Sequence, residues 1–306
     1  MKVLVSAIIT TRNRLNLLKR AVDSVLKQTY ENIELIIVDD GSTDGTMDWC
    51  QKLGTISKIP IKYIHIPQQE SKGGNFARNK GIKVASGKYI AFLDDDDFWL
   101  PEKTTLQVNL IESKNCDLVY GSRIIEKVEG DKITYVPSPA NSKYQGDVSQ
   151  IILGNIFTTT SLIMLRKSIF EKVGYFDESL KFWQEYELSI RIAQVSNLYY
   201  VSHPLIYYRI NQHDKERLTN KYFTWKESVK YIHIKHQNLY AKLPINLKIA
   251  AKALVWHDAI ERCKSSNLPF REVYYRALWN SYRFLRAIVN GRFLNKLNLK
   301  NEREEN

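Results

Sequence analysis

Cysteine is scarce in this 306-residue chain: Cys50, Cys116 and Cys263 are odd in number, widely spaced and free of any Cys-x-x-Cys pair. That pattern argues against a disulfide framework and against a structural zinc, and it fits a reducing compartment. Long apolar runs are missing as well. None approaches the roughly 20 residues needed to span a bilayer, and "MKVLVSAIITTRNR" meets its polar residues without a signal-peptide core or cleavage site. The protein is therefore expected on the cytoplasmic side. No period recurs along the chain, so a repeat array is excluded.

What is present starts with length, enough for one large α/β domain with additions or for two domains with real cores. The formal charge of +12 is uneven: up to residue 204 there are 25 Lys and Arg against 24 Asp and Glu, whereas residues 205–306 carry 20 against 9. A basic partner surface is expected in the C-terminal part.

Over the first half, β-branched runs alternate with amphipathic stretches, the rhythm of a parallel sheet covered by helices. "VLVSAIIT", "IELIIVDD", "IKYIHI" and "YIAFL" read as strands. "NLLKRAVDSVLKQ", with Leu18, Val22, Val25 and Leu26 on one side, "GTMDWCQKL" and "NFARNKGIKVA" read as helices, and a further helix is expected to open at Pro101. From about Lys127 the rhythm changes to a strand pair, a second apolar section and the helix "WQEYELSIRIAQ". Beyond about residue 215 the pattern is all-helical, with stripes through Trp225, Val229, Ile232, His236, Leu239 and Leu243, and through Ile249, Ala253, Trp256 and Ile260.

Polar clusters close three of the strands, "TTRNR", "DDGSTDG" and "DDDD". In open α/β sheets that edge is where ligands bind, so the three are expected to converge. Four successive carboxylates, Asp94 to Asp97, repel one another and call for a cation or a set of donors. Hard oxygens suit Mg²⁺ or Mn²⁺, which take one or two carboxylates and complete their shell with water and phosphate. Asp39 and Asp40 before a Gly/Ser/Thr turn can accept from a heterocycle N–H, and they read equally as a turn and helix cap. An EF-hand loop fails at Gln51, where a bidentate Glu is wanted. Arg12, Arg14, Lys72 and Arg78 share the same edge and suit phosphate. Glu185, beside Trp183 and Tyr186, has the surroundings of a general base, while Glu187 four residues before Arg191 reads as a helix ion pair. His233 and His236, three apart, fit packing better than a metal pair.

"VSAIITTRNRLNLLKRAVDSVLKQTYENIELIIVDDGSTDGT" followed by "ARNKGIKVASGKYIAFLDDDDFWLPEK" resembles the nucleotide-binding half of family 2 glycosyltransferases with the GT-A fold. "GNIFTTTSLIMLRKSIFEKVGYFDESL" and "QEYELSIRIA" resemble the acceptor side of that family, so the likeness runs from about residue 3 to 213. It implies a Rossmann-like mixed sheet flanked by helices, with a nucleotide-sugar half at 1–125, an acceptor half at 126–214 and a basic helical extension at 215–306. It further implies that Thr10, Thr11, Arg14, Asp39, Asp40, Arg78, Asp94 and Asp95 bind the nucleotide. Asp96, with Asp94, corresponds to the family's D-x-D metal element, and His213, in "YRINQHD", falls near a ligand position. Relatives commonly carry Glu-Asp where this chain has Gln184-Glu185, which places Glu185 at the catalytic base.

The expected activity is transfer of a sugar, with inversion, from a nucleotide diphosphate sugar to a hydroxyl of a saccharide or lipid-linked saccharide. The resemblance favours a UDP-sugar, Mn²⁺ or Mg²⁺, and a role in bacterial capsule or O-antigen assembly. A nucleotidyltransferase should show a glycine-rich triphosphate loop, which "SAIITTRNRLN" lacks, and a noncatalytic polyanion binder leaves the four aspartates without a purpose; no nucleic acid is expected. Between residues 270 and 300, seven Lys and Arg face only Glu272, interleaved with seven aromatics. That composition suits peripheral attachment to an anionic membrane, or equally a helix packed with a solvated basic face.

Overall fold

The computed structural model describes residues 2–139, 159–211 and 221–289. It divides into two compact units, Met1–Lys215 and Glu216–Asn306.

The first unit is built on one mixed sheet. Its elements run β1 (Val5–Thr11), α1 (Leu15–Leu26), β2 (Ile33–Asp39), α2 (Thr46–Ile56), β3 (Ile61–His65), α3 (Gly74–Val84), β4 (Tyr89–Asp94), β5 (Phe98–Trp99) and α4 (Lys103–Lys114). Then come β6 (Leu118–Glu129), β7 (Lys132–Ser138), β8 (Met164–Arg166), α5 (Ile169–Val173), α6 (Gln184–Ala193) and β9 (Leu198–Asn211). The order across the sheet is β3-β2-β1-β4-β8-β6-β9-β5, with β7 paired to β6. Strands β3, β2, β1 and β4 are mutually parallel, β8 is antiparallel to both β4 and β6, and β9 runs parallel to β6.

Helices cover both faces of the parallel part, so β1 and β2 are buried along nearly their whole length rather than on alternate residues. Helix α1 buries Leu18, Ala21, Val22 and Val25, the spacing of one helical face; Leu26, read on the same side, is exposed at the helix end. Helix α3 lies so close to the sheet that a Cβ on Gly81 would fall 2.7 Å from Ile8 Cγ2, a separation no side chain there could keep. Strand β9 accommodates Pro204 where its register against β6 shifts around Ser122, because a proline without an N–H is tolerated at an irregularity.

Pro101 does not open its helix. It precedes Glu102 and Lys103 in a turn, and its carbonyl accepts from Thr29 N at 2.9 Å, which ties the chain back to the end of α1 before α4 can begin.

The second unit comprises α7 (Tyr222–Lys235), α8 (Gln237–Lys242), α9 (Ile245–Ser265) and α10 (Pro269–Val289), with α9 and α10 packed along one another. The first stripe is buried at Trp225, Ile232, His236 and Leu243. On α9 the buried face runs through Ala253, Ala259, Ile260 and Cys263, small residues that let helices approach; Ile249, expected on that stripe, is exposed. His236 is buried at the end of α7, while the His233 ring stacks on Tyr240 at 3.9 Å and burial lowers its pKa. Both histidines therefore serve packing.

Candidate active site

Strands β2, β1 and β4 lie side by side, and their registers align Thr11 with Asp39 and Thr10 with Asp94. Three polar clusters thus finish on one edge of the sheet.

The four aspartates are held by overlapping sets of donors. Asp94 Oδ1 accepts from Arg78 Nη2 at 2.5 Å and Thr160 Oγ1 at 2.9 Å, and the Asp94 N–H donates to Ser161 Oγ at 3.0 Å. Asp95 takes Thr11 Oγ1 at 2.8 Å and Arg14 Nη1 at 3.3 Å. Asp96 shares that Arg14 nitrogen, also at 3.3 Å. Asp97 is buried and accepts the Arg209 N–H at 3.0 Å, with Thr159 Oγ1 at 3.5 Å.

These donors do not fully offset the crowding. Burial and the neighbouring Asp96 push the Asp95 carboxyl up to about 7, although Arg14 and Thr11 pull it down. Burial, then Asp96 and Asp94, raise Asp97 well above the usual carboxylate range. An edge with this surplus of negative charge is suited to a cation or to a ligand that brings donors.

A second corner forms at the end of β2. Asp39 is spent within the protein: Oδ1 accepts from Ser42 N at 2.8 Å, and Oδ2 from Tyr63 OH at 2.7 Å with His65 Nδ1 at 3.4 Å. Asp40 differs. Its Oδ2 accepts from Gly73 N at 3.1 Å, while among the described residues nothing donates to its buried Oδ1. A buried carboxylate oxygen without a donor is costly, and the cost is recovered if a ligand N–H completes it. The next residue must be glycine: Gly41 has φ of 81°, and a Cβ there would lie 2.9 Å from Gln68 Cα.

Glu185 stands in the first turn of α6, directly after Trp183, which is held at φ of 58° and packs edge-on against Tyr186. Glu185 is buried. Glu187 is buried too, but it is clasped by Arg191, whose Nε lies 3.0 Å from both carboxylate oxygens. The segment before α6 is fastened to α3. Asn75 Nδ2 donates to the Asp177 and Leu180 carbonyls, each at 2.8 Å, and Asn79 Nδ2 donates to the Phe176 carbonyl at 2.9 Å. The same helix carries Arg78, so one element positions both the arginine on Asp94 and the approach to Glu185.

Thr11, Arg14, Arg78 and Asp94 to Asp97 therefore form one connected group, Thr10 sits beside it on β1, and Asp39 and Asp40 adjoin it along the edge. His213 lies outside the described residues. Sequence reasoning did not single out Thr159, Thr160, Ser161, Asn75, Asn79 or Arg209. The run "TTTS" closing an apolar stretch was a visible signal for the first three; Arg209 acts through its backbone and left none.

Among the described residues no three His, Cys, Asp or Glu side chains are grouped as a metal-ligand set. The donor chemistry still fits a hard divalent ion, because the Asp96 side chain is about 30% exposed and such ions draw most of their shell from phosphate and water.

Residues 6–174 match the family described as glycosyl transferase family 2. Over 211 residues the chain is 34% identical to an uncharacterized glycosyltransferase of Rickettsia prowazekii, which covers 68% of this chain and 64% of that protein. It is 42% identical over 124 residues, 40% of this chain and 47% of the relative, to the Escherichia coli UDP-Glc:alpha-D-GlcNAc-diphosphoundecaprenol beta-1,3-glucosyltransferase WfaP. The chain thus spans less than two thirds of the length of these curated relatives. Among solved structures, S. aureus TarS 1–349 in complex with UDP superposes with a TM-score of 0.56 at 18% identity, over 92% of this chain and 91% of that one. At that identity the likeness establishes the fold.

Proposed function

The chain belongs to glycosyl transferase family 2 and has the GT-A fold, and from this premise we propose that it transfers a sugar from a UDP-sugar to a hydroxyl of a saccharide or lipid-linked saccharide during surface polysaccharide assembly. The observation that carries the reading is the Oδ1 of Asp40 at the end of β2, which no described residue donates to and which a nucleobase N–H would complete. Uracil presents an N–H there. The UDP of the TarS complex and the UDP-Glc and lipid diphosphate in the WfaP name support this choice of donor and acceptor.

Arg14 and Arg78, which pair with the aspartates of this edge, would bring positive charge to the donor's diphosphate. Asp96, with Asp94, would hold Mn²⁺ or Mg²⁺, an ion that supplies Lewis-acid neutralisation of the diphosphate when bound. The acceptor oxygen attacks the anomeric carbon from the face opposite the nucleotide. The bond from that carbon to the diphosphate oxygen breaks, its electron pair leaves with UDP, and the acceptor proton passes to the Glu185 carboxylate. A single displacement of this kind inverts the anomeric centre. The buried, aromatic setting of Glu185 keeps water from competing with the acceptor hydroxyl.

Calorimetric titration with UDP, GDP and their sugars, each with and without Mn²⁺, tests the reading. Selective binding of uridine nucleotides, weakened by Asp40→Asn, is the expected result. Equal affinity for UDP and GDP, untouched by Asp40→Asn, overturns the assignment of the base pocket.

A further inference from the structure

Helix α10 has its faces distributed in an unusual way. Its inward side is aromatic: Tyr275 OH lies 3.0 Å from Tyr222 OH of α7, and the Trp279 ring packs 4.9 Å from His257 of α9. A helix already anchored by that face should turn a polar surface outward. Instead Phe270 is 91% exposed, Val273 67%, Tyr274 60% and Leu285 61%. With Ala277 these occupy positions i, i+3, i+4, i+7 and i+15, one face of the helix, apolar over its first two turns and again at Phe284 and Leu285, with Asn280 and Ser281 between. The exposed side chains are too large and too regularly placed to be the scattered surface apolar residues of an ordinary helix.

Arginines border the stripe. Arg276 and Arg283, seven residues apart, run along one flank, and Arg271 stands on the other. Glu272, the helix's one acidic residue, is bound by Arg276 at 2.6 Å. From this arrangement we infer that α10 is an interfacial helix that lies on an anionic lipid surface, with its apolar stripe in the acyl boundary and its arginines at the headgroups. An apolar face with basic borders is the arrangement that such surfaces select. Charge decides between the candidate occupants. A second copy docked stripe to stripe would bring two rows of arginines together, whereas anionic headgroups complement them. No helix among the described residues is long and apolar enough to cross a membrane, so the contact is one of attachment to a surface.

The inference goes beyond the sugar-transfer reading and does not depend on it. The full chain is sedimented with vesicles of phosphatidylcholine alone and of phosphatidylcholine with phosphatidylglycerol, and its mass is measured by light scattering without lipid. Binding to the anionic vesicles is expected, reduced at least tenfold by Phe270→Asp with Leu285→Asp. Arg276→Gln with Arg283→Gln should cost about fivefold per arginine on anionic vesicles and leave neutral ones unaffected. Thermal unfolding and UDP titration of each variant establish that the fold and the donor site are intact. Equal sedimentation with and without anionic lipid overturns the inference, as does a dimer that the Phe270 and Leu285 substitutions dissociate while vesicle binding is absent. Absence of vesicle binding by the unmodified chain, with its UDP binding present, refutes this inference alone; absence of UDP binding by the unmodified chain refutes the donor reading alone.

Discussion

Two ends of the same sheet bury carboxylates and treat them in opposite ways. At the amino-terminal end Glu34 accepts from Ser6 Oγ at 2.6 Å, Ser86 N at 2.5 Å and Lys62 Nζ at 2.9 Å. Burial alone would raise its pKa, but those hydrogen bonds and the Lys62 charge outweigh burial and hold it below the ordinary value. At the carboxyl end Asp95 and Asp97 are pushed upward, and Asp40 keeps an oxygen without a donor among the described residues. The first set is complete within the fold. The second is held by protein donors that do not outweigh burial and like charge, and that difference distinguishes the two edges more sharply than the number of acids does. Helix α6 carries two buried glutamates that differ in place, with Glu187 tied to Arg191 and Glu185 two residues before it in the first turn.

The contrast on α6 gives the largest expected effect. Glu185→Gln should lower sugar transfer by about 10²- to 10⁴-fold while UDP affinity holds, because a lost general base affects the reaction and spares the donor. Unchanged turnover of this variant, measured on any acceptor the wild type uses, would remove Glu185 from the mechanism. Glu187→Gln should instead lower the melting temperature.

At the complete end, Glu34→Ala should cost about 2–3 kcal/mol in denaturant unfolding, since it removes the acceptor of Ser6 Oγ and the Ser86 N–H and the counter-charge of Lys62, with part of the Lys62 pair discounted for solvent. UDP affinity should stay at the wild-type value. Because the folded pKa of Glu34 lies below its usual value of 4.5, its stabilisation is present above that pH and is lost as pH falls through the folded pKa. The gap in stability between wild type and Glu34→Gln should therefore close on acidification below 4.5. A gap that widens would mean that Glu34 is not held ionised.

At the incomplete end, Asp40→Asn should cost about 1–2 kcal/mol in uridine nucleotide binding, with the unfolding midpoint unmoved. A drop in stability without a change in affinity would make Asp40 structural like Glu34 and dissolve the comparison.

The smallest effect comes from a buried cation far from either acid set. Lys103 is fully buried, its Nζ 2.7 Å from Gln107 Oε1 and 4.0 Å from the centre of the Trp99 ring, and burial lowers its pKa well below the usual value. Between its folded and unfolded pKa values the unfolded chain binds the extra proton, so stability should rise with pH through that window. Lys103→Met should raise stability by about 1 kcal/mol at neutral pH and flatten that rise, as followed by chemical denaturation from pH 7 to 10.

The parallel half of the fold was legible because each strand buried on both faces is a mostly apolar, β-branched run, and each covering helix repeats its apolar residues every three or four positions. The polar strand ends were legible for the same reason, since they stop those runs abruptly. The long pairing of β6 with β9 was less so: Pro204 interrupts β9, and a strand that survives a proline through a register shift leaves no periodic trace. Within the site, Asp39 and Asp40 look alike in sequence. Only the hydroxyl of Tyr63, arriving from the next strand, and the backbone of Ser42 show which of them is already satisfied. Asn75 and Asn79 read as ordinary helix residues because their partners lie about a hundred positions away.

The Arg209 N–H that reaches Asp97 comes from 112 residues further along the chain. A ribosome adds about 5–20 residues per second. Once Asp97 has been polymerised, several seconds to tens of seconds pass before its backbone partner exists. Throughout that interval the nascent chain carries its four aspartates with the innermost one unclosed. The last strand of the first unit is therefore also a timing element: the pocket can take its final charge arrangement only after β9 has been made.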